Sequence, residues 1–297
     1  MSILQKLSKY IIVAAWRLRL DHLIPDKAFL SLYHRWKTSR KLDWKNPRSY
    51  SEKTQWLKLY DHKPEYTAMV DKYLVKQYVA DKLGNRYVVP LLGVWDRPED
   101  IEWSKLPDRF VVKCTHDSGG IVICRDKSKL NLDEAQRKLK DAFGKNYYYE
   151  GREWPYKNIR KRVFAEQFLE DSSGDLKDYK IFCFDGEPKM IQVDYNRFTG
   201  HLRNLYTPQW ERIDATICFP TDPDRNFPKP DVLDELLELS RKLSAGIPHV
   251  RTDFYIADGK IYFGEITFFP GSGLEKITPE AMDYEMGSWI DLSKVRK

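Results

Sequence analysis

The stretch VRTDFYIADGKIYFGEITFFPG, residues 250–271, carries the strongest indications of fold and chemistry in the chain. Its centre, Asp258-Gly259, separates two runs rich in apolar and aromatic residues, and Asp-Gly in that setting predicts a β-hairpin. Pairing of the two strands would bring Asp253 close to Glu265. Two carboxylates on one face could hold Mg²⁺, which prefers oxygen ligands. They could equally be two solvated carboxylates of an edge strand.

The composition limits the class of protein. Of the 297 residues, 42% are hydrophobic and 14% aromatic, which is enough for a sizeable core. No apolar run approaches the ~20 residues that span a bilayer, and no secretory signal is recognisable. The four cysteines and six histidines are scattered without a zinc-site spacing, and no Walker-type or Gly-x-Gly-x-x-Gly phosphate loop is present. These features exclude transmembrane and disulfide-scaffold proteins and predict a cytoplasmic location with reduced thiols.

The basic excess of the chain is concentrated in its first 41 residues. They contain nine Lys or Arg and two Asp, a net charge of +7, whereas the rest of the chain has a net charge of −1. Apolar residues recur there at helical spacing: Ile3, Leu4, Leu7, Ile11, Ala14, Ala15 and Leu18. A basic amphipathic helix is predicted, which could pack on its own domain, contact an anionic membrane or bind an acidic polymer. Nucleic acid is not expected as a partner, because no recognition motif accompanies the charge.

The predicted secondary structure changes from mainly helical to strand-rich after residue 107. Residues 1–84 predict helices, with a capping box at Ser49 and Glu52, and further helices are expected over 131–143 and 231–245. Strands are predicted over 109–114, 121–125 and 163–169. A second hairpin is predicted where Asp185-Gly186 joins residues 178–184 to 188–195.

Several residues of these strands are suited to binding a nucleotide. Lys113 ends one strand and precedes a Ser-Gly-Gly turn, whose backbone N–H groups could approach phosphates, although such turns are also common in ordinary hairpins. Glu166 to Leu169 ends an apolar strand before an irregular segment, and its backbone could bind an adenine edge. Lys180 provides a further cation on the next strand.

The order of these pieces from residue 71 to 273 resembles the ATP-grasp fold. Residues 250–271 resemble the metal-binding end of the D-alanine–D-alanine ligase type. More narrowly, LPDRFVVK (106–113), DYKIFCFDG (178–186) and RTDFY (251–255) resemble the TupA-like ATP-grasp family. Proteins of that family occur with bacterial capsule, teichuronopeptide and other surface-polysaccharide genes and are often labelled glycosyltransferases.

The resemblance implies an α+β fold in which two α+β subdomains clasp ATP, preceded by a mainly helical N-terminal region. The implied division is 1–107 for the helical region, 108–170 for the small, lid-bearing subdomain and 171–297 for the large subdomain with the metal site. The implied ligands are ATP and Mg²⁺.

The resemblance also implies a role for each site residue. The residues expected to bind the nucleotide are Lys72, Lys113, the lid residues Ser118, Gly119 and Gly120, the adenine and hinge residues Glu166, Gln167, Phe168 and Leu169, and Lys180. Asp253 and Glu265 are expected to hold Mg²⁺ with Thr267, which replaces the family's usual Asn. Arg251 and Lys180 are expected to act in catalysis, Arg251 by steadying an acyl phosphate or oxyanion.

The implied activity is ADP-forming ligation of a carboxylate to an amine through an acyl phosphate. By analogy with the family, the expected substrates are a uronic-acid-containing saccharide and an amino acid or amino alcohol. A sugar transferase is an alternative, although no Asp-x-Asp motif is present. A non-catalytic carbohydrate-binding protein is another, in which Tyr147, Tyr148, Tyr149 and Trp154 would stack on sugars; the same residues could instead pack in a core.

Overall fold

The structure is a computed structural model that describes residues 2–117, 119–172, 174, 176–196 and 200–295. In these ranges the helices are α1 (Ile3–Arg17), α2 (Asp26–Thr38), α3 (Tyr50–Tyr60), α4 (Glu65–Val70), α5 (Leu74–Leu83), α6 (Leu132–Phe143), α7 (Tyr148–Gly151), α8 (Leu233–Ser244) and α9 (Glu280–Ser288). The strands are β1 (Leu91–Trp95), β2 (Phe110–Cys114), β3 (Ile121–Cys124), β4 (Val163–Gln167), β5 (Asp178–Phe184), β6 (Glu187–Tyr195), β7 (Leu202–Tyr206), β8 (Thr216–Ile217), β9 (His249–Ala257), β10 (Lys260–Thr267) and β11 (Ile277–Thr278).

Two antiparallel sheets dominate the architecture. One has four strands in the order β1-β4-β2-β3, and the other has five in the order β10-β9-β5-β6-β7. Strands β8 and β11 form a separate small pair. The mixture of helices with antiparallel sheets confirms the predicted α+β class.

The local predictions that rested on turn and cap chemistry are confirmed. Both Asp-Gly dipeptides form tight turns: φ is 52° and 84° at Asp185 and Gly186, and 48° and 75° at Asp258 and Gly259. Positive φ at both central residues is the requirement that favours this dipeptide. The capping box at the start of α3 is present, because the Ser49 side chain accepts from the backbone N–H of Glu52 and the Glu52 carboxylate accepts from that of Ser49.

The five-stranded sheet has one apolar face and one charged face. Helix α8 packs on the apolar face, where Thr252 Oγ1 donates to Ser240 Oγ at 3.0 Å. Successive side chains of a strand point to opposite faces. Arg251 and Asp253 therefore lie on the other face, together with Lys180 of β5, to which Asp253 is joined by an ion pair.

The four-stranded sheet packs on α6 through a separate core. Phe110 and Val112 of β2 lie against Leu139 of α6, all fully buried. Strand β1, which precedes residue 108, pairs with β4, so this sheet extends across the predicted boundary at 107/108. The three-part division of the chain stays a prediction.

Helix α9 packs against the N-terminal helices, although it is distant from them in sequence. The Asp283 carboxylate accepts from the backbone N–H of Ser51 at 2.9 Å and from its hydroxyl at 3.1 Å, and it pairs with Arg40. At Gly287 a Cβ would lie 2.2 Å from the carbonyl oxygen of Arg48, so α9 rests directly on the backbone that begins α3.

Helix α1 forms where a helix was predicted, but most of its apolar stripe is exposed instead of packed against the protein. Its buried residues are Gln5, Ser8, Ile12 and Ala15. Of the predicted stripe only Ala15 is buried, and Ile3, Leu4, Leu7, Ile11 and Leu18 are exposed. The helix packs on α2 through a neighbouring face. In the described ranges no helix is both long and apolar enough to cross a bilayer.

Candidate active site

A cleft of about 1060 Å³ is lined by residues of both large sheets. Side chains from the four-stranded sheet and from the segments beside it include Lys72, Lys76, Lys113, Glu166, Gln167, Phe168 and Leu169. Those from the five-stranded sheet include Asp178, Lys180, Asp253 and Glu265. The cleft therefore brings together most of the residues predicted to bind a nucleotide.

A one-residue bulge at Gly264 places Glu265 on the cleft face. With a regular two-residue turn at Asp258-Gly259, Asp253 would oppose Gly264, and Glu265 would oppose Thr252 on the α8 face. The register instead shifts between Phe263 and Glu265, so Glu265 lies opposite Asp253. A Cβ at position 264 would approach the Asp253 carbonyl oxygen to 3.1 Å, which explains why glycine suits this position.

Cations and carboxylates alternate along the charged face of the five-stranded sheet. The Arg251 guanidinium donates from Nε to Asp253 Oδ1 and from Nη2 to Oδ2, both at 2.7 Å. Lys180 Nζ donates to Asp253 Oδ2 at 2.6 Å and to Asp178 Oδ2 at 2.5 Å. Glu265 Oε1 lies 3.3 Å from Arg251 Nη2. All these residues except Glu265 are buried, so each buried charge has an opposite charge beside it.

The pKa values of this group follow from burial opposed by charge pairing. Burial raises the pKa of Asp253, but Arg251 and Lys180 outweigh it and hold that pKa below its ordinary value. Burial lowers the pKa of Lys180, and Asp178 and Asp253 more than compensate, so its pKa is raised. The pKa of Arg251 is raised in the same way, burial being outweighed chiefly by Asp253. Asp253, Lys180 and Arg251 are therefore ionised at neutral pH.

A second charged group lies across the cleft, where the buried Glu166 of β4 meets the partly buried lysines Lys113 of β2 and Lys76 of α5. Glu166 Oε1 pairs with Lys113 Nζ at 2.5 Å, and Oε2 pairs with Lys76 Nζ at 2.7 Å. Burial raises the pKa of Glu166, but the two lysines outweigh it and lower that pKa. The carboxylate thus holds two ammonium groups at the cleft wall, and the expected role of Glu166 beside the adenine stays a prediction.

The family of the chain follows from its sequence as a whole. Residues 52–291 match the family described as TupA-like ATP-grasp, which is most of the chain and includes every residue of the two charged groups. The chain belongs to the TupA-like ATP-grasp family. Among curated proteins, none matches the chain.

Solved ATP-grasp structures resemble the chain at low identity. The D-alanine–D-alanine ligase from Bacillus anthracis, complexed with ATP, is 16% identical with a TM-score of 0.42, over 80% of this chain and 65% of that ligase. The D-alanine–D-alanine ligase from Helicobacter pylori is 17% identical with a TM-score of 0.41, over 82% of this chain and 71% of that one. The ATP-grasp ligase PsnB, complexed with a phosphomimetic precursor variant, Mg and ADP, is 10% identical with a TM-score of 0.43, over 97% of this chain and 74% of that one. The chain thus spans less than two thirds of that Bacillus anthracis ligase.

The predicted hinge of this ATP-grasp chain lines the cleft. Gln167 ends β4, and its backbone N–H donates to the Pro90 carbonyl oxygen at 2.9 Å. The Phe168 ring is covered by the guanidinium groups of Arg109 and Arg125, whose Cζ atoms lie 4.6 and 5.1 Å from its centroid. Leu169 follows and also lines the cleft. A flat apolar surface flanked by cations is therefore present at the predicted position.

The predicted phosphate lid is only partly within the described residues. Ser118 lies outside them. Gly119 has open space around it, whereas a Cβ at Gly120 would lie 2.7 Å from the Ala142 Cβ and 2.8 Å from the Cys114 Sγ. Lys72 Nζ donates to the Asp117 carbonyl oxygen and so ties the predicted early lysine to this turn. Gly120 is thus held against α6, and the role of the turn as a lid stays a prediction.

The donor set at Asp253 and Glu265 suits Mg²⁺. A carboxylate oxygen has two lone pairs, and Asp253 Oδ1 accepts from one described residue, the Nε of Arg251. A lone pair thus remains beside Glu265, which is only partly buried. The Thr267 hydroxyl accepts from Arg251 Nη2 at 3.3 Å, so the predicted third ligand is already held by the guanidinium. In the described part of the chain no site combines three His, Cys, Asp or Glu residues.

Lys76 and Asp178 were not identified from the sequence. Lys76 lies four residues after Lys72, one helical turn on, and Asp178 lies two residues before Lys180, on the same strand face. Those two spacings were the features of the sequence that could have identified Lys76 and Asp178 as site residues.

The aromatic residues considered for sugar stacking contact the protein itself. Tyr148 is buried, and Trp154 Nε1 donates to the Asp61 carbonyl oxygen at 3.0 Å.

Proposed function

We propose that this protein is an ATP- and Mg²⁺-dependent ligase that joins a carboxylate to an amine and releases ADP and phosphate. One observation carries the proposal: two cation–carboxylate groups face one cleft from opposite sides. The group Arg251/Asp253/Lys180 is buried, and in the group Lys76/Lys113/Glu166 a buried carboxylate pairs with two partly buried lysines. Buried charges are costly, and a cluster of them beside a cavity is characteristic of a functional site.

The cleft can accommodate a nucleotide between the two groups. Its volume of about 1060 Å³ is at the upper end of the range typical of small-molecule sites. Lys113 and Lys76 would contact the α- and β-phosphates from one side, and Lys180 would contact the phosphates from the other. Phe168 and Leu169 would border the adenine. Each lysine already has a carboxylate partner, so binding a polyphosphate exchanges one anion for another.

Mg²⁺ would be held by Asp253 and Glu265, with Thr267 or water completing the coordination. When bound, the ion neutralises charge that develops on the phosphate oxygens during transfer. The chain's own contribution is to fix the two carboxylates on neighbouring strands. The bulge at Gly264 sets their register, and Arg251 orients Asp253 through two hydrogen bonds.

Two group transfers make up the proposed reaction. An oxygen of the substrate carboxylate attacks the γ-phosphorus, the bond to the β,γ-bridging oxygen breaks, and ADP leaves with an acyl phosphate remaining. The amine nitrogen then attacks the acyl carbon, phosphate leaves with the C–O electron pair, and the nitrogen loses a proton to form the amide. The Arg251 guanidinium would bind the developing oxyanion, and Lys180 would stabilise the transferring phosphoryl group.

The proposed carboxylate is a uronic acid of a bacterial surface polysaccharide or its precursor, and the proposed amine is an amino acid or amino alcohol. Support for this choice comes from the gene neighbourhoods of the TupA-like family, which associate its members with capsule and teichuronopeptide synthesis. A uronic acid provides the carboxylate that this chemistry activates. Its amide with an amino alcohol would be uncharged, whereas its amide with an amino acid would keep the carboxylate of that amino acid.

ADP release measured in the presence of MgATP tests the proposal. A panel of uronic acids and amines should stimulate release, and hydroxylamine should trap the acyl phosphate as a hydroxamate when the amine is left out. Glu265→Gln and Lys180→Met should each lower turnover at least 100-fold, whereas Glu211→Gln, a charge-matched change at an exposed position, should leave it unchanged.

Two results would contradict the ligase. Turnover of a nucleotide-sugar without ATP would indicate a transferase. Saccharide binding that is indifferent to ATP and to both substitutions would indicate a binding protein.

A further inference from the structure

Helix α1 has three distinct faces. At about 100° per residue, its buried residues Gln5, Ser8, Ile12 and Ala15 occupy one arc, which packs on α2. The exposed apolar side chains are centred about 120° away from that arc. Lys6, Lys9 and Arg17 lie between the two on the remaining side. A helix already buried on one face therefore presents a second apolar face outward.

The outward face is extensive for a surface helix. Ile3 is 84% exposed, Leu4 58%, Leu7 52% and Tyr10 68%, and Ile11 and Leu18 are also exposed. Single exposed apolar side chains are common, but a contiguous strip of them marks an interaction surface. Tyr10 lies where the strip meets the basic arc, a position that suits an aromatic ring with one polar end.

The charge around this strip is positive and is not balanced by nearby acids. Within the described residues, Lys6, Lys9, Arg17 and Arg19 are exposed and form no salt bridge, and the first turn of α1 contains no acid. The two acids of this region, Asp21 and Asp26, face the buried guanidinium of Arg152; its Nε lies 3.0 Å from Asp26 Oδ1. They therefore compensate Arg152 rather than the four cations.

We propose that α1 docks this protein on the surface of an anionic phospholipid bilayer. The apolar strip would enter the boundary between headgroups and acyl chains, and the adjoining cations would contact the headgroup phosphates. A second copy of the chain is a poorer occupant, because self-association through this face would bring the basic arcs together. An acidic polymer would use the cations but would leave the apolar strip in water. This inference concerns α1 alone and does not depend on the reaction in the cleft.

Vesicle flotation of the full chain tests the inference. The parent protein should float with vesicles of phosphatidylglycerol and phosphatidylcholine but not with phosphatidylcholine alone, and 0.5 M NaCl should reduce the bound fraction. Leu7→Asn with Ile11→Asn should weaken partitioning at least tenfold, and Lys6→Glu with Lys9→Glu should do the same. Lys189→Glu with Lys260→Glu, an equal change of charge at exposed sites on other elements, should have little effect. Circular dichroism checks that each variant remains folded.

Three results would overturn the inference. Equal flotation with neutral and anionic vesicles would contradict the role of the cations. Unchanged flotation of the Leu7/Ile11 variant would contradict insertion of the strip and favour a polyanion as the ligand. A dimer in light scattering that the Leu7/Ile11 variant dissociates, without flotation of the parent, would assign the face to a second copy.

Discussion

Replacing Glu166 by Gln should destabilise the protein strongly, and bound nucleotide should restore part of the lost stability. The Glu166 carboxylate is nearly buried and lies 2.5 Å from Lys113 Nζ and 2.7 Å from Lys76 Nζ. At an effective dielectric constant of 20, each contact corresponds to about 6 kcal/mol of Coulomb energy before desolvation is counted. Removing one member of a buried ion group typically costs about 3 to 5 kcal/mol, because the remaining charges lose their partner. Here two ammonium groups would be left facing each other.

Urea unfolding followed by circular dichroism measures this loss. We expect Glu166→Gln to lower the free energy of unfolding by about 3 to 5 kcal/mol. Glu170→Gln is the matched control, since Glu170 pairs with Arg109 at 2.6 Å but both side chains are about half exposed, and its change should stay below about 1 kcal/mol. If a triphosphate binds these lysines, MgATP should stabilise Glu166→Gln more than the parent. Equal losses in the two variants would refute the reasoning, and equal stabilisation by MgATP would contradict the proposed phosphate position.

Three further predictions concern stability, each measured by urea unfolding. Burial lowers the pKa of His249 to about 3. Between pH 6.5 and 3 only the unfolded chain gains a proton at this residue, so the free energy of unfolding falls as the pH falls. From pH 7.5 to 4.5 the parent should lose about 3 kcal/mol more than His249→Gln, and identical pH profiles of the two proteins would contradict this prediction. Gly120→Ala should cost about 1 to 3 kcal/mol through overpacking, whereas Gly119→Ala, with open space around it, should be nearly neutral; equal effects would argue against a packed Gly120. Asp283→Asn should cost about 2 to 4 kcal/mol by weakening the contacts that begin α3, and a change below about 0.5 kcal/mol would contradict that role.

The hairpins and capped helices could be predicted because their signals are local. An Asp-Gly turn or a Ser-x-x-Glu cap specifies backbone geometry within four residues, whatever surrounds it. The hairpin predicts that Asp253 lies near Glu265, and the register confirms it, although regular pairing would have put Glu265 on the opposite face. Gly264, a glycine inside a strand, was the signal for the bulge that corrects the register.

The partners of the site lysines depend on contacts that are distant in sequence. Lys76 and Glu166 are 90 residues apart, and nothing in their local patterns specifies that they meet. The face through which α1 packs was equally hard to predict from local patterns. An apolar stripe at helical spacing is normally the buried face, yet here Gln5, Ser8 and Ile12 are buried against α2. One of these contacts joins Gln5 Nε2 to the Trp36 carbonyl oxygen of α2 at 2.9 Å, and no pattern within α1 specifies it.

The contact between Asp283 and the start of α3 also bears on how the chain folds during synthesis. Ser51 and Asp283 are 232 residues apart. At a translation rate of about 5 to 20 residues per second, roughly 10 to 50 seconds separate their emergence from the ribosome. During that period water must take the place of the Asp283 carboxylate as partner of the Arg40 guanidinium and the Ser51 backbone N–H. The N-terminal helices can therefore reach their final packing only late, and that delay is the time in which a nascent chain would be most open to chaperones or proteases.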